Sequence, residues 1–197
     1  MSRGLGDVYK RQVQELIALA KTAPGKINFA SAGNGTTNHL SGELFKSMAN
    51  IDIVHVPYRG AGPAMNDLIA GHVQMFFDLM PVVLPQIAAG KVRALANAGA
   101  KQPSALPDVP TVAEQGLAGF DASSWYGLVA PAKTPEPVLA KLRDEVAKAL
   151  EAPDMVARIR ELGSEPGTAF GKDFGTFMAA ETKKWAEVIR TSRAKAD

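Results

Sequence analysis

Glycines and hydroxyl side chains are concentrated where the stretch INFASAGNGTTNHL changes from a strand-like to a helix-like pattern. A helix N-terminus presents unpaired N–H groups and a partial positive charge, which suit a carboxylate or a phosphate. Glycine lets the backbone approach such a ligand, and Ser and Thr hydroxyls add donors. The same residue types also suit a tight turn whose threonine only caps the helix. The candidate residues, called the 31–37 turn, are Ser31, Ala32, Gly33, Asn34, Gly35, Thr36 and Thr37.

Four further candidate side chains lie close to predicted strand ends or to this turn. His39 falls in the first turn of the helix that follows, Tyr58 and Arg59 follow the second predicted strand, and Asp78 lies near the end of the third. Ligands of open parallel sheets bind outside the carboxyl ends of the strands. We therefore predict that these residues bind the substrate, with the alternative that Arg59 pairs with a protein carboxylate instead.

The usual signatures of catalysis and of cofactor binding are missing from the sequence. The GNG segment is not followed by the Gly-Lys-Ser/Thr of a phosphate-binding loop, and no Gly-x-Ser-x-Gly occurs. There is no cysteine, and the three histidines, at positions 39, 55 and 72, do not have the spacing of metal ligands. We therefore predict no catalytic residue, no metal, no cofactor and a protein that is not an enzyme.

Composition narrows the range of partners. The chain is 46% hydrophobic and 21% charged, which is typical of a packed fold rather than of disorder. The net charge is +2 and is carried entirely by the first twelve residues, so no basic stripe indicates a nucleic-acid partner. No apolar run approaches the length of a membrane span, so we predict that the chain does not cross a membrane.

Alternating helices and strands must position the candidate residues. The predicted strands cover residues 26–31, 53–57, 73–79 and 92–98, and the predicted helices cover residues 13–23, 36–49, 63–70 and 82–89. Apolar strands separated by helices predict an α/β fold with a parallel sheet covered on both faces.

The pattern changes after residue 98. We predict a loop over 101–111, a short helix over 112–115, a strand over 123–131 and helices over 135–150, 153–162 and about 170–192. A single strand has unpaired backbone groups and needs a sheet to join. We also expect the last helices to expose apolar side chains such as Phe174, Phe177 and Trp185.

Several segments, in matching order and spacing, resemble the Bug family, the substrate-binding proteins of tripartite tricarboxylate transporters. The most specific are GKINFASAGNGTTNHLSGELF, HVPYRGAGPAMNDLIAGHV and LPDVPTVAEQGLAGFDASSWYGLVAPAKTP. The resemblance implies a type II periplasmic-binding-protein fold of two α/β lobes, a small carboxylate ligand in the cleft between them, membrane transporter components as partners and a periplasmic location. It also implies that the 31–37 turn and the strand end at Tyr58 and Arg59 face the ligand.

The sequence departs from the family pattern at its beginning. Residues 1–12 show no periodicity and no signal-peptide character, so we interpret them as a disordered tail or a cloning or assembly remnant. By the resemblance, residues 13–124 form one complete ligand-binding lobe, and residues 125–197 form the C-terminal part of an incomplete second lobe. In this interpretation the strand over 123–131 returns to a lobe whose other strands are absent.

Two other functions remain open at this point. The effector-binding domain of a LysR-type regulator shares the fold class but requires an upstream DNA-binding helix-turn-helix segment, which residues 1–12 cannot supply. An uncharacterised α/β enzyme would require a nucleophile and base at an interpretable spacing.

Overall fold

The structure, a computed structural model, describes residues 13–195. The interpretation of residues 1–12 lies outside this range. The first part of the described chain contains α1 (Val13–Thr22), β1 (Asn28–Ser31), α2 (Thr37–Ala49), β2 (Val54–Pro57), α3 (Ala61–Ala70), β3 (Met75–Phe76) and α4 (Met80–Ala88). The second part contains α5 (Glu136–Glu151), α6 (Pro153–Glu161) and α7 (Gly171–Ser192).

A three-stranded parallel sheet in the order β2-β1-β3 forms the centre of the first part. Strand β1 lies in the middle, with Ser31 opposite Pro57 of β2 and Ala30 opposite Phe76 of β3. The α/β class and the parallel sheet predicted from the sequence are confirmed.

Apolar side chains of the strands and helices explain why these elements pack. Ile27, Phe29, Phe45, Ile53 and Phe120 are each at most 1% exposed and form the centre of the core. Helix α1 covers this core with the face predicted from its spacing: Val13, Leu16, Ile17 and Ala20.

The ends of α2 and α3 follow from local backbone chemistry. Thr36 caps α2, because its side chain accepts the N–H of His39. Asn50 ends the same helix in the left-handed conformation, and Gly71 does so for α3.

The fourth predicted strand, over 92–98, is wrong apart from one isolated parallel bridge between Asn97 and Thr111. The short helix predicted over 112–115 is also wrong, since the chain there makes turns. Apolar residues in both segments, such as Leu95 and Val112, pack on the core without a continuous ladder. Their apolar pattern therefore reports burial rather than strand pairing.

The strand predicted over 123–131 is wrong within the described chain, because no β-strand is present there. Its side chains are open to solvent, with Tyr126 84% exposed and Leu128 80% exposed. The physical reason is the one that makes a lone strand unstable, since no neighbouring strand supplies the missing backbone hydrogen bonds.

Helix α7 joins the second part to the first by packing against α2. Phe174 and Trp185 of α7 are half-buried, Trp185 against the core, so the expectation that these two side chains are exposed is wrong. Phe177 is 38% exposed, as expected, and its ring meets the ring of Trp125 edge to face at 5.3 Å between centroids. Within residues 13–195, we find no helix with the length and apolar character of a membrane span.

Candidate functional site

The carboxyl ends of all three strands lie at one edge of the sheet, because the strands are parallel. Ala32 follows β1 by one residue, Tyr58 follows β2 by one residue, and Asp78 follows β3 by two residues. If the strand register is continued past the strand ends, these three residues lie side by side across the sheet. A backbone hydrogen bond of 3.1 Å from the Gly60 N–H to the Ala32 carbonyl joins the turns after β1 and β2. This edge is therefore the candidate site.

The 31–37 turn is held by hydrogen bonds within itself and to His39. Gly33 and Gly35 have φ angles of 140° and 74°, which favour glycine over any other residue. The Thr36 hydroxyl donates to the Gly33 carbonyl at 2.7 Å, and the Gly35 N–H donates to Nδ1 of His39 at 3.1 Å. Asn34 lies half-buried between them. Several donors that the sequence assigned to a ligand thus have partners inside the protein.

The Ser31 side chain connects the 31–37 turn to the neighbouring strand β2 by hydrogen bonds. Its side chain is fully buried, and its Oγ lies 2.6 Å from Nε2 of His55 and accepts the Gly33 N–H at 3.2 Å. Ser31 therefore fixes the start of the turn and is not open to solvent.

His39 and His55 form a stacked pair beneath the turn, with ring centroids 3.8 Å apart and planes 7° apart. Burial, together with the charge of the neighbouring His39 when protonated, lowers the pKa of His55 to about 4. Burial also lowers the pKa of His39. Because Nδ1 of His39 accepts the Gly35 N–H, its proton lies on Nε2, 3.9 Å from Glu43. The pair is neutral at pH 7 and positions the turn.

Thr37 is the hydroxyl of the turn that remains available to a ligand. It is exposed at the first position of α2, and neither its hydroxyl nor its N–H has a hydrogen-bond partner within residues 13–195. A free hydroxyl and a free N–H at a helix N-terminus are suitable donors for an anion.

Tyr58 and Arg59 lie at the same edge, and their side chains differ in their bonding within the protein. The Tyr58 hydroxyl turns toward α3 and donates to Asp67 at 2.7 Å, and burial together with this bond raises the pKa of Tyr58 to about 12. Its backbone N–H donates to the Ser31 carbonyl. Arg59 is exposed at the same edge and makes no ion pair within the described chain.

Asp78 is tied to α2 through Asn38. The Asn38 amide donates to the Phe77 carbonyl at 2.5 Å and to Oδ1 of Asp78 at 3.3 Å. Burial raises the pKa of Asp78, and the Leu79 N–H and the Asn38 amide partly offset this effect. Asp78 thus lies beside the first turn of α2.

Sequence reasoning missed His55 and Asn38 as parts of this site. His55 is separated from Ser31 by 24 positions, and Asn38 from Phe77 by 39. The alternation of side chains along β2 was the only available signal for His55, and it does not show which face carries the turn.

A large open cavity lies next to the site but does not coincide with it. It measures about 1560 Å³ and is lined mainly by apolar side chains of β3, α4, α5 and the segment after residue 122. Asp78 lines it, whereas the 31–37 turn does not. It exceeds the roughly 300–1,000 Å³ of a small-molecule pocket, so we take it as uncovered apolar surface. Within residues 13–195, no cluster of His, Asp and Glu is suited to hold a metal.

Relatives of known sequence match almost the whole chain. A UPF0065 protein from the tcbD-tcbE intergenic region of Pseudomonas sp. (strain P51) is 39% identical over 95% of this chain and 56% of its own length. Protein BugT of Bordetella pertussis is 36% identical over 91% of this chain and 55% of its own length. The chain therefore spans a little over half the length of these curated relatives.

Solved structures show the same fold. A protein of R. palustris with adipate has a TM-score of 0.85 and 34% identity over 96% of this chain and 63% of its own. MatC from Rhodopseudomonas palustris with bound malate has a TM-score of 0.79 and 31% identity over 93% of this chain and 63% of its own.

The Tripartite tricarboxylate transporter family receptor is the family whose sequence pattern matches residues 6–193. Together with the match to BugT, this confirms the resemblance seen in the sequence motifs. The chain belongs to the receptor family of the tripartite tricarboxylate transporters.

Proposed function

We propose that this chain forms part of a solute-binding protein that captures a small organic carboxylate at the carboxyl edge of its parallel sheet. The exposed Thr37 at the N-terminus of α2 is the observation that carries this proposal. Family membership supports it, as do the adipate and malate in the related structures.

The chemistry of the turn suits a carboxylate. Helix α2 is 13 residues long, and its N-terminus carries a partial positive charge. The first turn of α2 itself contains no acidic residue, and the Asp78 carboxyl beside it is bonded to the Asn38 amide. The bonds of the turn to His39 and Ser31 hold the Thr37 donors in place before a ligand arrives, which reduces the ordering cost of binding.

An enzyme is the alternative with one observation in its favour, since Ser31 Oγ and His55 Nε2 are as close as a nucleophile and its base. The same geometry argues against catalysis. Ser31 is 0% exposed and so cannot reach a substrate, and a pKa of about 4 makes His55 a weak base at neutral pH. We therefore assign the pair to positioning the turn, with no turnover and no cofactor.

Delivery to the membrane components of a tripartite tricarboxylate transporter, from the periplasm, completes the proposal. It is supported by the family and by the related structure of the periplasmic binding protein BugD, which has a TM-score of 0.80 and 32% identity to this chain. The absence of a net charge after residue 12 argues against a nucleic-acid partner.

Calorimetric titration of the protein with adipate, malate and succinate tests the proposal. A hydrogen bond to a charged group contributes about 1.5–3 kcal/mol, so we expect Thr37→Ala to weaken binding by about tenfold to a hundredfold. Gly35→Val should weaken it further, because a β-branched residue is strained at a φ of 74°.

Thr168→Ala is the matched control, because Thr168 is an exposed threonine in the second part of the chain, far along the sequence from the 31–37 turn. It should bind as the unchanged protein does. If Thr37→Ala stays folded and also binds unchanged, the 31–37 turn is only a turn and the anion site lies elsewhere.

A further inference from the structure

The segment over 124–130 is extended and has no strand beside it. None of its backbone N–H or C=O groups has a hydrogen-bond partner within residues 13–195. The chain there makes no turn or bend, and none of these residues has a positive φ. An extended segment with an unpaired edge is a template for another strand.

Helix α7 holds this segment in place on one side. The Trp125 ring meets the Phe174 ring edge to face, with centroids 5.7 Å apart. The Gly127 backbone lies so close to α7 that an added Cβ would overlap the same phenyl ring. Tyr126 and Leu128, by contrast, are open to solvent. The side chains thus alternate as in a strand, and the segment is ordered before it meets a partner, which reduces the cost of pairing.

The charges around the segment are arranged symmetrically about Gly127. Residues 122–132 carry no charge, and Asp121 lies six positions before Gly127. Lys133 lies six positions after it and is exposed. In an antiparallel pair of two copies centred on Gly127, each Asp121 therefore lies at the end that carries the Lys133 of the other copy. Only Oδ1 of Asp121 is bonded within the described chain, to Ser123, so its other oxygen is available to that lysine.

The same register pairs complementary side chains. Tyr126 of one copy lies opposite Leu128 of the other, and Trp125 lies opposite Val129, so that aromatic rings face aliphatic side chains. Gly127 faces its own copy at the twofold axis, where the missing side chain lets the two backbones approach. Such a pairing uses the same surface of both copies and therefore closes at two.

We infer that two copies of this chain associate through antiparallel pairing of their 124–130 segments, with Gly127 on the twofold axis. The symmetry of the charges about Gly127 is what selects a second copy over a strand of another protein. One pair of short strands buries less surface than a standard interface, so the dimer should be weak and should depend on protein concentration. The inference does not depend on the proposed function.

Sedimentation velocity over a range of protein concentrations tests the inference. We expect a monomer–dimer equilibrium of the unchanged protein, without larger species. Lys133→Glu should raise the dimer dissociation constant about tenfold, because it replaces two attractive charge pairs by two repulsive ones. Asp121→Lys in the same chain should restore the dimer. Lys26→Glu is the matched control, since it makes the same charge change at an exposed lysine of the first part of the chain and should leave the constant unchanged.

Proline substitutions test the backbone pairing separately from the charges. Alternate N–H groups of a strand point to opposite sides, so only one of Leu128 and Val129 donates to the partner copy. Leu128→Pro and Val129→Pro should therefore differ by at least about tenfold in the dimer dissociation constant. Neither substitution removes a hydrogen bond from the monomer, so thermal unfolding followed by circular dichroism should show both variants folded.

The outcomes decide between a twofold pair and other forms of contact. A monomer at every concentration overturns the inference and leaves the segment open to a strand of different origin. Larger aggregates in place of a dimer also overturn it, because the twofold pairing closes at two copies. A dimer that neither Lys133→Glu nor the two proline variants weaken overturns the assignment to this segment.

Discussion

A methyl group at Gly42 should destabilise the fold, because α2 packs against β1 at this point. An added Cβ would overlap three ring carbons of Phe29, and even the farthest would be only 2.8 Å away. Phe29 is 0% exposed, and its ring stacks on His55 with centroids 5.0 Å apart. The ring therefore has no free space into which it can move.

Two effects of opposite sign set the magnitude. Overpacking a close-packed core costs about 1–3 kcal/mol, whereas Ala is better than Gly within a helix by up to about 1 kcal/mol. The contact involves three rigid ring carbons, so we take the upper half of the overpacking range. We expect Gly42→Ala to lower the free energy of unfolding by about 1–2 kcal/mol.

Urea unfolding followed by circular dichroism measures this change. Gly175→Ala is the matched control, since Gly175 lies within α7 and a Cβ there meets nothing within 4 Å. The control should gain up to about 1 kcal/mol. If Gly42→Ala is as stable as Gly175→Ala, the packing of α2 on β1 described here is incorrect.

Three further outcomes follow from the structure. Because burial lowers the pKa of His55 from 6.5 to about 4, its contribution to the free energy of unfolding should be full above pH 6.5 and should be lost as the pH falls toward 4. The loss should be about 1–2 kcal/mol after allowance for the partial exposure of His55. In urea titrations at several pH values, His55→Gln should flatten this dependence, and an unchanged dependence in the variant would contradict the assignment. Thr36→Ala should lose about 1 kcal/mol on thermal unfolding and Thr36→Ser much less, because the serine hydroxyl still caps α2. Leu128 and Val129 are 80% and 79% exposed, and their apolar side chains should cause self-association. Sedimentation velocity would detect this association, and lysine at both positions should reduce it. A monodisperse, monomeric unchanged protein would show that this segment does not drive self-association.

Hydrophobic periodicity predicted most helices and strands of the first part, because the buried side chains there recur at helix or strand spacing. The buried face of α1 and the strand ending at Ser31 were both visible in the sequence. The segment over 92–98 was misassigned because its apolar side chains pack on the core without a ladder partner, and pairing is decided by segments remote in sequence.

The candidate site could be located from the sequence but not resolved in detail. Glycine and threonine types marked the turn before α2, and the turn does have the positive φ angles that they favour. The Ser31 hydroxyl is bonded inside the protein to His55, which lies on another strand. Spacing alone could not separate the buried Ser31 from the exposed Thr37.

The central place of β1 in the sheet has a consequence for the order of folding. Both other strands pair with β1, and the chain between β1 and β2 is shorter than the chain between β1 and β3. Closing the shorter loop costs less entropy, so we expect the β1-α2-β2 unit to form first. The 31–37 turn belongs to that unit, whereas Asp78 follows β3. The 31–37 turn should thus be assembled early in folding, and Asp78 should join it later.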